Sequence, residues 1–346
     1  MFPRMKRGIV MNPSRPACRH WPFWAAIAAL AAILGLSLLI NLAAVGVLAG
    51  SSRSGPSTQG EDEFPSFAET HSWGAGTAKV VRIAFTGILT RQLDGGLFGS
   101  TDPVDATLRQ IRAARQDEEV AGILLEIDSP GGEVTASDEI HRELMRFKES
   151  RDGRVITVLV HDLAASGGFY IALPADRIVA QPTAMVGSIG VLMQTLNIQG
   201  LGEKLGVTDT TIKSGRNKDM LNPFRPVDPE QVRLLQTSVD AMHDRFVELV
   251  AEGRNLSKTK VRALADGRLF TAREALDLRL VDAIGYWEDA LAETAGLLGV
   301  ETVRVVTYRD DTGLLAQFFG VRSPLPGLHA LLSAAAVPRR LYLWRP

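Results

Sequence analysis

"VAGILLEIDSPGGEV", residues 120–134, decides the fold. Its first eight residues are apolar apart from Gly122 and Glu126, and the run then stops at Asp-Ser-Pro-Gly-Gly. A strand with one wet face alternates apolar and polar residues. A near-continuous apolar run closed by turn residues belongs to a strand buried on both faces, as in parallel sheets covered by helices. The flanking sequence repeats the pattern. Upstream, "KVVRIAFTGIL" (79–89) reads as a strand. "DPVDATLRQIRAARQD" (102–117) opens on Asp-Pro and spaces Val104, Leu108 and Ile111 as a helix does. Downstream come a helix in "VTASDEIHRELMRFKES" (134–150), a strand in "RVITVLV" (154–160), a short helix in "GGFYIALPA" (167–175) and a strand in "DRIVA" (176–180). "TAMVGSIGVLM" (183–193) is mixed, and "TDTTIK" (208–213) reads as another strand. The class is α/β, with a mainly parallel sheet under helices. From Asp228 the sequence predicts a long amphipathic helix to Arg254, further helix to about Gly299, and one more strand in "TVRVVTY" (302–308).

The 346 residues suit one large α/β domain with appendages. The net charge of −1 gives no reason to expect a nucleic-acid partner. Cys18 is the single cysteine, so no internal disulfide forms, and the six histidines show no metal-binding spacing. Neither a metal nor a cofactor is expected.

Between Arg19 and Arg53 there is no charged residue. Residues 21–50 exceed the roughly 20 apolar residues that cross a bilayer and predict a transmembrane anchor. The run also exceeds the 7–15 residues typical of a signal-peptide core, although "VLAG" offers a cleavage-like site after Ala49. Arg4, Lys6, Arg7, Arg15 and Arg19 precede it, which places residues 1–20 in the cytoplasm and the rest of the chain outside. Residues 51–76, rich in Ser, Gly, Pro and acid, read as a linker. The main α/β domain is read as 77–300. Residues 301–346, broken by Pro324, Pro326 and Pro338 after the last strand, receive no role.

Three glycine corners fall where an α/β sheet gathers its functional groups, at the carboxyl ends of strands. "DSPGG" (128–132) can turn backbone N–H groups into a concavity suited to an oxyanion, or can be an ordinary strand–helix turn. "ASGGFY" (165–170) can present Ser166 as a nucleophile on a strand–turn–helix corner, or use it as a plain helix N-cap. "VGSIGV" (186–191) carries Ser188, and "KSGRNKD" (213–219) carries Lys213 and Lys218. A serine hydroxyl needs a base. His161, five residues before Ser166, is one candidate, and a lysine whose ammonium is disfavoured by burial is another. "GLGEKLG" (200–206) imitates a dinucleotide fingerprint with one residue too many, and Gly206 reads better as a helix C-cap.

Taken together, "DSPGG", "ASGGFY", "VGSIGV", "KSGRNKD" and "DGRLFTAREALDLRLVDAIG" (266–285) resemble, in order and spacing, the signal peptide peptidase A family of membrane-anchored bacterial serine peptidases. The likeness covers about residues 80–290. It implies a Clp protease/crotonase-like fold of stacked ββα units behind the N-terminal transmembrane helix. It makes Ser166 the nucleophile, Lys218 the general base and Ser188 the partner that positions the lysine. The amides of Gly131, Gly132 and Gly167 become candidates for the oxyanion site. It also implies a homo-oligomeric ring at the inner membrane, with the serine and lysine of one site drawn from neighbouring copies, and peptide substrates such as signal-peptide remnants and misfolded chains. Three positions depart from the family pattern: Glu133 after Gly-Gly, Phe169 in "GGFY" and Arg279 in "LDLRLVD". Two rival functions share the fold logic, a crotonase-like acyl-CoA hydratase or isomerase and a catalytically inactive membrane-tethered scaffold.

Overall fold

The structure, a computed structural model, describes residues 29–39 with 27 and 41, residues 65, 67–91 and 102–309, and the backbone of 340–343. Residues 1–61 and 62–346 form two separate compact units. In the first, residues 29–39 are helical, with Leu30, Ile33, Leu34, Leu38 and Leu39 exposed. Among the described residues no helix is long and apolar enough to cross a membrane. The rest of the 21–50 run, the basic segment 1–20 and residues 310–339 lie outside the described residues.

The second unit is built on a nine-stranded sheet. Its central strands are β2 (Ala78–Thr86), β3 (Val120–Ser129), β5 (Val155–Ala165) and β6 (Arg177–Ala180), all parallel. Alternate residues serve two cores. Ile83, Phe85, Leu125, Ile127, Ile156 and Val158 face the larger one. Val80, Leu124, Leu159 and Val179 face a smaller one on the other side. This two-sided burial is why these strands read as unbroken apolar runs. The larger core is closed by α1 (Pro103–Gln116) and α2 (Val134–Glu149). Asp102 caps α1, accepting from the Val104 and Asp105 amides at 2.8 and 3.2 Å.

The sheet reaches beyond the boundaries read from the sequence. β1 (Ala68–Trp73) falls within the stretch read as linker, and β11 (Val303–Arg309) falls after residue 300. They pair with each other antiparallel, and β11 pairs parallel with β2. β1 is an exposed edge strand with polar residues on both faces, so no apolar alternation announces it. The expected strand at 208–213 does not form. Ile212 there is 98% exposed, and among the described residues no strand pairs with the segment.

Two short strands, β4 (Gly131–Glu133) and β8 (Leu192–Met193), belong to a separate three-stranded sheet. Its middle strand is β12 (Arg340–Leu343), antiparallel to both. The remaining elements are α3 (Gly167–Ala172), β7 (Met185–Gly187), α4 (Gln199–Leu205), α5 (Pro229–Gly253), α6 (Lys258–Leu264), β9 (Leu269–Thr271), α7 (Ala272–Asp277), β10 (Ala283–Ile284) and α8 (Trp287–Leu298). The stretch expected to be helix up to Gly299 is thus interrupted by β9 and β10. α8 covers the smaller core through Ala290, Leu291 and Ala295. Gly206 ends α4 in the left-handed conformation, at φ 68°, as its sequence position predicts.

Candidate active site

Strand β5 changes partners along its length. Residues 157–160 pair with β6, and residues 163–165 pair with β7. Against β3 the register jumps, Ile127 facing Val160 and Ser129 facing Ala164. Residues 161–163, opposite Asp128 alone, form a bulge that redirects the strand end towards β7, and Ser166 follows directly. Its backbone N–H donates to the Gly187 carbonyl at 2.7 Å. Ser166 takes φ 53° and ψ −115°, a conformation that costs a non-glycine residue free energy and persists only where neighbours enforce it. Its side chain makes no N-cap hydrogen bond, so the plain capping role does not apply. Ser188 also has positive φ, 49°, and its N–H donates to the Arg268 carbonyl at 2.8 Å.

The hydroxyls of these two strained serines meet in one cavity of about 490 Å³, although Ser166 is only 1% exposed. Ser166 Oγ stands 3.5 Å from the Gly190 carbonyl. Gly190, Val191 and Leu192 form one wall, Ala265, Asp266 and Gly267 a second, and Gln236, Val239, Asp240 and His243 of α5 a third.

The glycine corner after β3 lies beside Ser166. A Cβ placed on Gly167 would stand 3.1 Å from the Gly132 nitrogen, and one on Gly168 2.7 Å from the Ser129 carbonyl oxygen. Gly132 itself has no room for a Cβ, which would fall 2.0 Å from the Leu89 carbonyl oxygen. The three oxyanion candidates separate here. The Gly131 N–H donates to Ser129 Oγ at 3.1 Å and is therefore occupied. Leu89 takes the Gly131 carbonyl and the Glu133 N–H, so Gly132 turns its own N–H the other way, towards β12. Gly167 remains as a donor, and the Gly132 N–H would become one only where the β12 strand leaves it.

The base candidates separate as well. His161 is engaged at both ring nitrogens. Gln181 Nε2 donates to Nδ1 at 2.9 Å, which leaves the hydrogen on Nε2 for Glu126 at 2.8 Å. Burial pushes the Glu126 carboxyl up, but the hydrogen bonds from Arg82 and His161 outweigh it and hold Glu126 below the usual carboxylate range. Lys213 donates to the Arg216 carbonyl and pairs with Asp219, in a second cavity of about 320 Å³. Lys218 is exposed, lines neither cavity, and makes no side-chain hydrogen bond or ion pair among the described residues. Within one copy the structure therefore brings together Ser166, Ser188, Gly132 and Gly167 but not Lys218.

Glu133 turns away from the cleft towards the chain after β2, its carboxylate accepting from Thr90 Oγ1 at 3.0 Å and from the Arg91 N–H at 3.4 Å. Phe169 is fully buried in the larger core. Arg279 has φ 64°, so a glycine would be at ease in its place. The sequence reading missed the α5 wall. Its signal was the spacing of residues 236, 239, 240 and 243, which lie on one helical face. Among the described residues no cluster of three or more His, Cys, Asp or Glu side chains could hold a metal.

Residues 148–301 match the model of peptidase family S49. A candidate signal peptide peptidase SppA of Enterococcus faecium is 38% identical over 254 residues, 73% of each chain. Protease 4 of Salmonella typhi is 32% identical, covering 67% of this chain and 38% of its own. The chloroplastic serine protease SPPA of Arabidopsis thaliana is 30% identical, covering 68% and 35%. Among solved structures, a ClpP1 mutant of Listeria monocytogenes aligns with 62% of this chain and 94% of its own, at 18% identity and a TM-score of 0.39. The chain is a serine-type peptidase by descent and belongs to peptidase family S49.

Proposed function

We propose that the protein is a membrane-anchored serine endopeptidase that cleaves signal-peptide remnants and other short or misfolded chains. The observation that carries this reading is the Ser166 corner. A strained serine opens onto a cavity, beside the Gly132 amide, at the edge of a groove that accepts an extended strand between β4 and β8. An extended peptide can bind such a groove by adding a strand to it.

Ser166 attacks the peptide carbonyl while the uncharged amine of Lys218 takes its proton. The Gly132 and Gly167 amides receive the oxyanion. Lys218 returns the proton to the leaving amine, and water, activated by the same base, releases the acyl group from Ser166. Ser188 accepts from or donates to the lysine and positions it. Because Lys218 stands outside the Ser166 cavity of its own chain, it serves a second copy, in a ring held beside the membrane by residues 21–50. The exposed apolar side chains of Leu196, Leu201, Leu205, Ile212 and Phe224, on either side of the Lys218 loop, suit such an interface. The exposed apolar helix at 29–39 and the basic residues before it support an anchor with a cytoplasmic N-terminus.

Hydrolysis of a fluorogenic apolar peptide by detergent-purified protein tests the reading. Ser166→Ala and Lys218→Ala should each lower turnover by about a thousandfold or more, whereas Lys213→Ala should retain it. Mixing the two inactive variants during assembly should restore part of the activity, because some sites then combine an intact Ser166 with an intact Lys218. Loss of turnover in Lys213→Ala alone would move the base, and persistence in Ser166→Ala would remove the nucleophile.

A further inference from the structure

The α5 wall of the Ser166 cavity has a chemistry of its own. Gln236, Val239, Asp240 and His243 recur at the i, i+3, i+4, i+7 spacing of one helical face. The next turn of the helix is rooted in the core. Phe246, Val247 and Val250 are fully buried, and the Phe246 ring packs 5.1 Å from that of Tyr170, four residues after Ser166. The wall is thereby held in fixed register with the nucleophile.

The cavity has apolar sides and an acidic end. Val191, Leu192 and Val239 offer apolar surface. Of its two carboxylates, Asp266 is neutralised by Arg268, whose Nε lies 2.8 and 2.9 Å from the two oxygens. Asp240 accepts from Gln236 Nε2 at 2.7 Å and pairs with no cation among the described residues. No lysine or arginine lines the cavity among the described residues. His243 Nε2 lies 3.0 Å from the Ala265 carbonyl oxygen. A carbonyl can only accept, so this nitrogen carries a hydrogen, and Nδ1 is an acceptor whenever the ring holds only that one. One helical turn thus presents an imidazole and a carboxylate whose two oxygens have acceptor capacity beyond the one hydrogen bond from Gln236.

We propose that this face of α5 is a side-chain subsite that selects a lysine or arginine near the scissile bond of the peptide. The methylenes lie along Val191, Leu192 and Val239, and the cationic head reaches Asp240 and His243 Nδ1. This deepens, and rests on, the assignment of Ser166 as nucleophile. Asp240 is a specificity residue that touches substrate and takes no part in the proton transfers.

Two arms test it separately from catalysis. In the first, Ser166→Ala protein binds fluorescent peptides that differ at one position, stepped through the sequence, as lysine, arginine, norleucine or glutamate. Affinity is read by anisotropy. In the second, wild type and Asp240→Asn cleave the same set. At one position lysine or arginine should exceed norleucine by about tenfold in both arms, the scale of one charge-assisted contact. Asp240→Asn should erase that preference, its lysine and arginine peptides being bound and cleaved no better than the norleucine peptide. Equal binding of lysine and norleucine at every position would overturn the proposal. So would a lysine preference that survives Asp240→Asn, or an Asp240→Asn effect confined to the pH dependence of all substrates, which would place the carboxylate against the base instead. If wild type cleaves nothing yet the tenfold binding preference is present and lost with Asp240, the subsite stands and the nucleophile assignment fails.

Discussion

The Cα of Gly167 faces the backbone nitrogen of Gly132: a methyl group built on it would stand 3.1 Å from that nitrogen and 2.5 Å from Ser137 Oγ. Two corners 35 residues apart in the chain are therefore pressed together at the point where an oxyanion would sit. Gly167→Ala should separate them. Because Ser137 Oγ is also bound to the Glu133 carbonyl at 2.9 Å, it cannot simply turn away without losing that bond. The expected result is a loss of turnover of about a hundredfold or more, the scale of one oxyanion donor, with a destabilisation of about 1–3 kcal/mol for overpacking. Peptide hydrolysis and thermal unfolding on the same sample separate the two effects. Normal turnover in a destabilised variant would detach Gly167 from the oxyanion.

Strain at Ser166 has its own signature. At φ 53° and ψ −115° a Cβ is costly and glycine is not. Both Ser166→Ala and Ser166→Gly should be inactive, but the glycine variant should be the more stable of the two by about 1 kcal/mol. Alanine normally wins this comparison in an unstrained position. Chemical denaturation of the two variants reads the difference directly, and an alanine variant of equal or greater stability would show the corner to be relaxed.

His141 supplies a pH dependence. It is 8% exposed on α2, edge-on to Tyr170 at 5.4 Å between ring centroids. Burial pushes its imidazole down to about 4, with Arg245 adding to the effect and Asp138 opposing it. Between that value and the ordinary 6.5 the unfolded chain binds a proton that the folded chain refuses. Stability is therefore full above about pH 6.5 and falls as pH drops through this window, by about 3 kcal/mol at its full extent. His141→Phe should flatten the dependence of unfolding free energy on pH between 7 and 4.5. An unchanged slope would mean that the imidazole is protonated in the folded protein.

The parts of this architecture that were legible in the sequence are those fixed by local chemistry. The apolar run at 120–127 revealed a strand buried on two sides, Asp102-Pro103 the start of α1, and Gly206 the end of α4. Ser166 stood out because it stands on a strand–turn–helix corner, a place that can present a serine oxygen to a cleft. What stayed hidden depends on distant partners. β1 has no apolar face because it is an edge, and its pairing with β11 joins residues more than 230 positions apart. The choice among Gly131, Gly132 and Gly167 turned on Ser129 and Leu89, which decide where each amide points. The α5 wall was written in the sequence as a helical face, but only the fold shows that this face meets Ser166 rather than solvent.

The strand at Arg340–Leu343 leads to the last prediction. It lies antiparallel between β4 and β8, with Tyr342 opposite Gly132 and Leu341 opposite both Glu133 and Leu192. It also lies against α3, the helix that opens directly after Ser166. Gly132 turns its N–H towards this strand, so the backbone of the chain's own C-terminal segment occupies the groove proposed for an extended peptide. An intramolecular strand competes at high effective concentration, and a substrate must displace it before reaching the Gly132 amide. Ending the chain at Arg339 should therefore lower the KM for a short fluorogenic peptide by several-fold, about the scale of one net hydrogen bond, with little change in kcat. The synthetic heptapeptide Arg-Leu-Tyr-Leu-Trp-Arg-Pro, the sequence of residues 340–346, should inhibit the shortened protein competitively. Tyr342→Pro in the full chain should mimic the truncation, since proline removes the strand's N–H opposite Gly132. If shortening the chain leaves KM unchanged and the heptapeptide does not compete, the strand at 340–343 lies outside the path of the substrate, and the groove between β4 and β8 is not where the peptide binds.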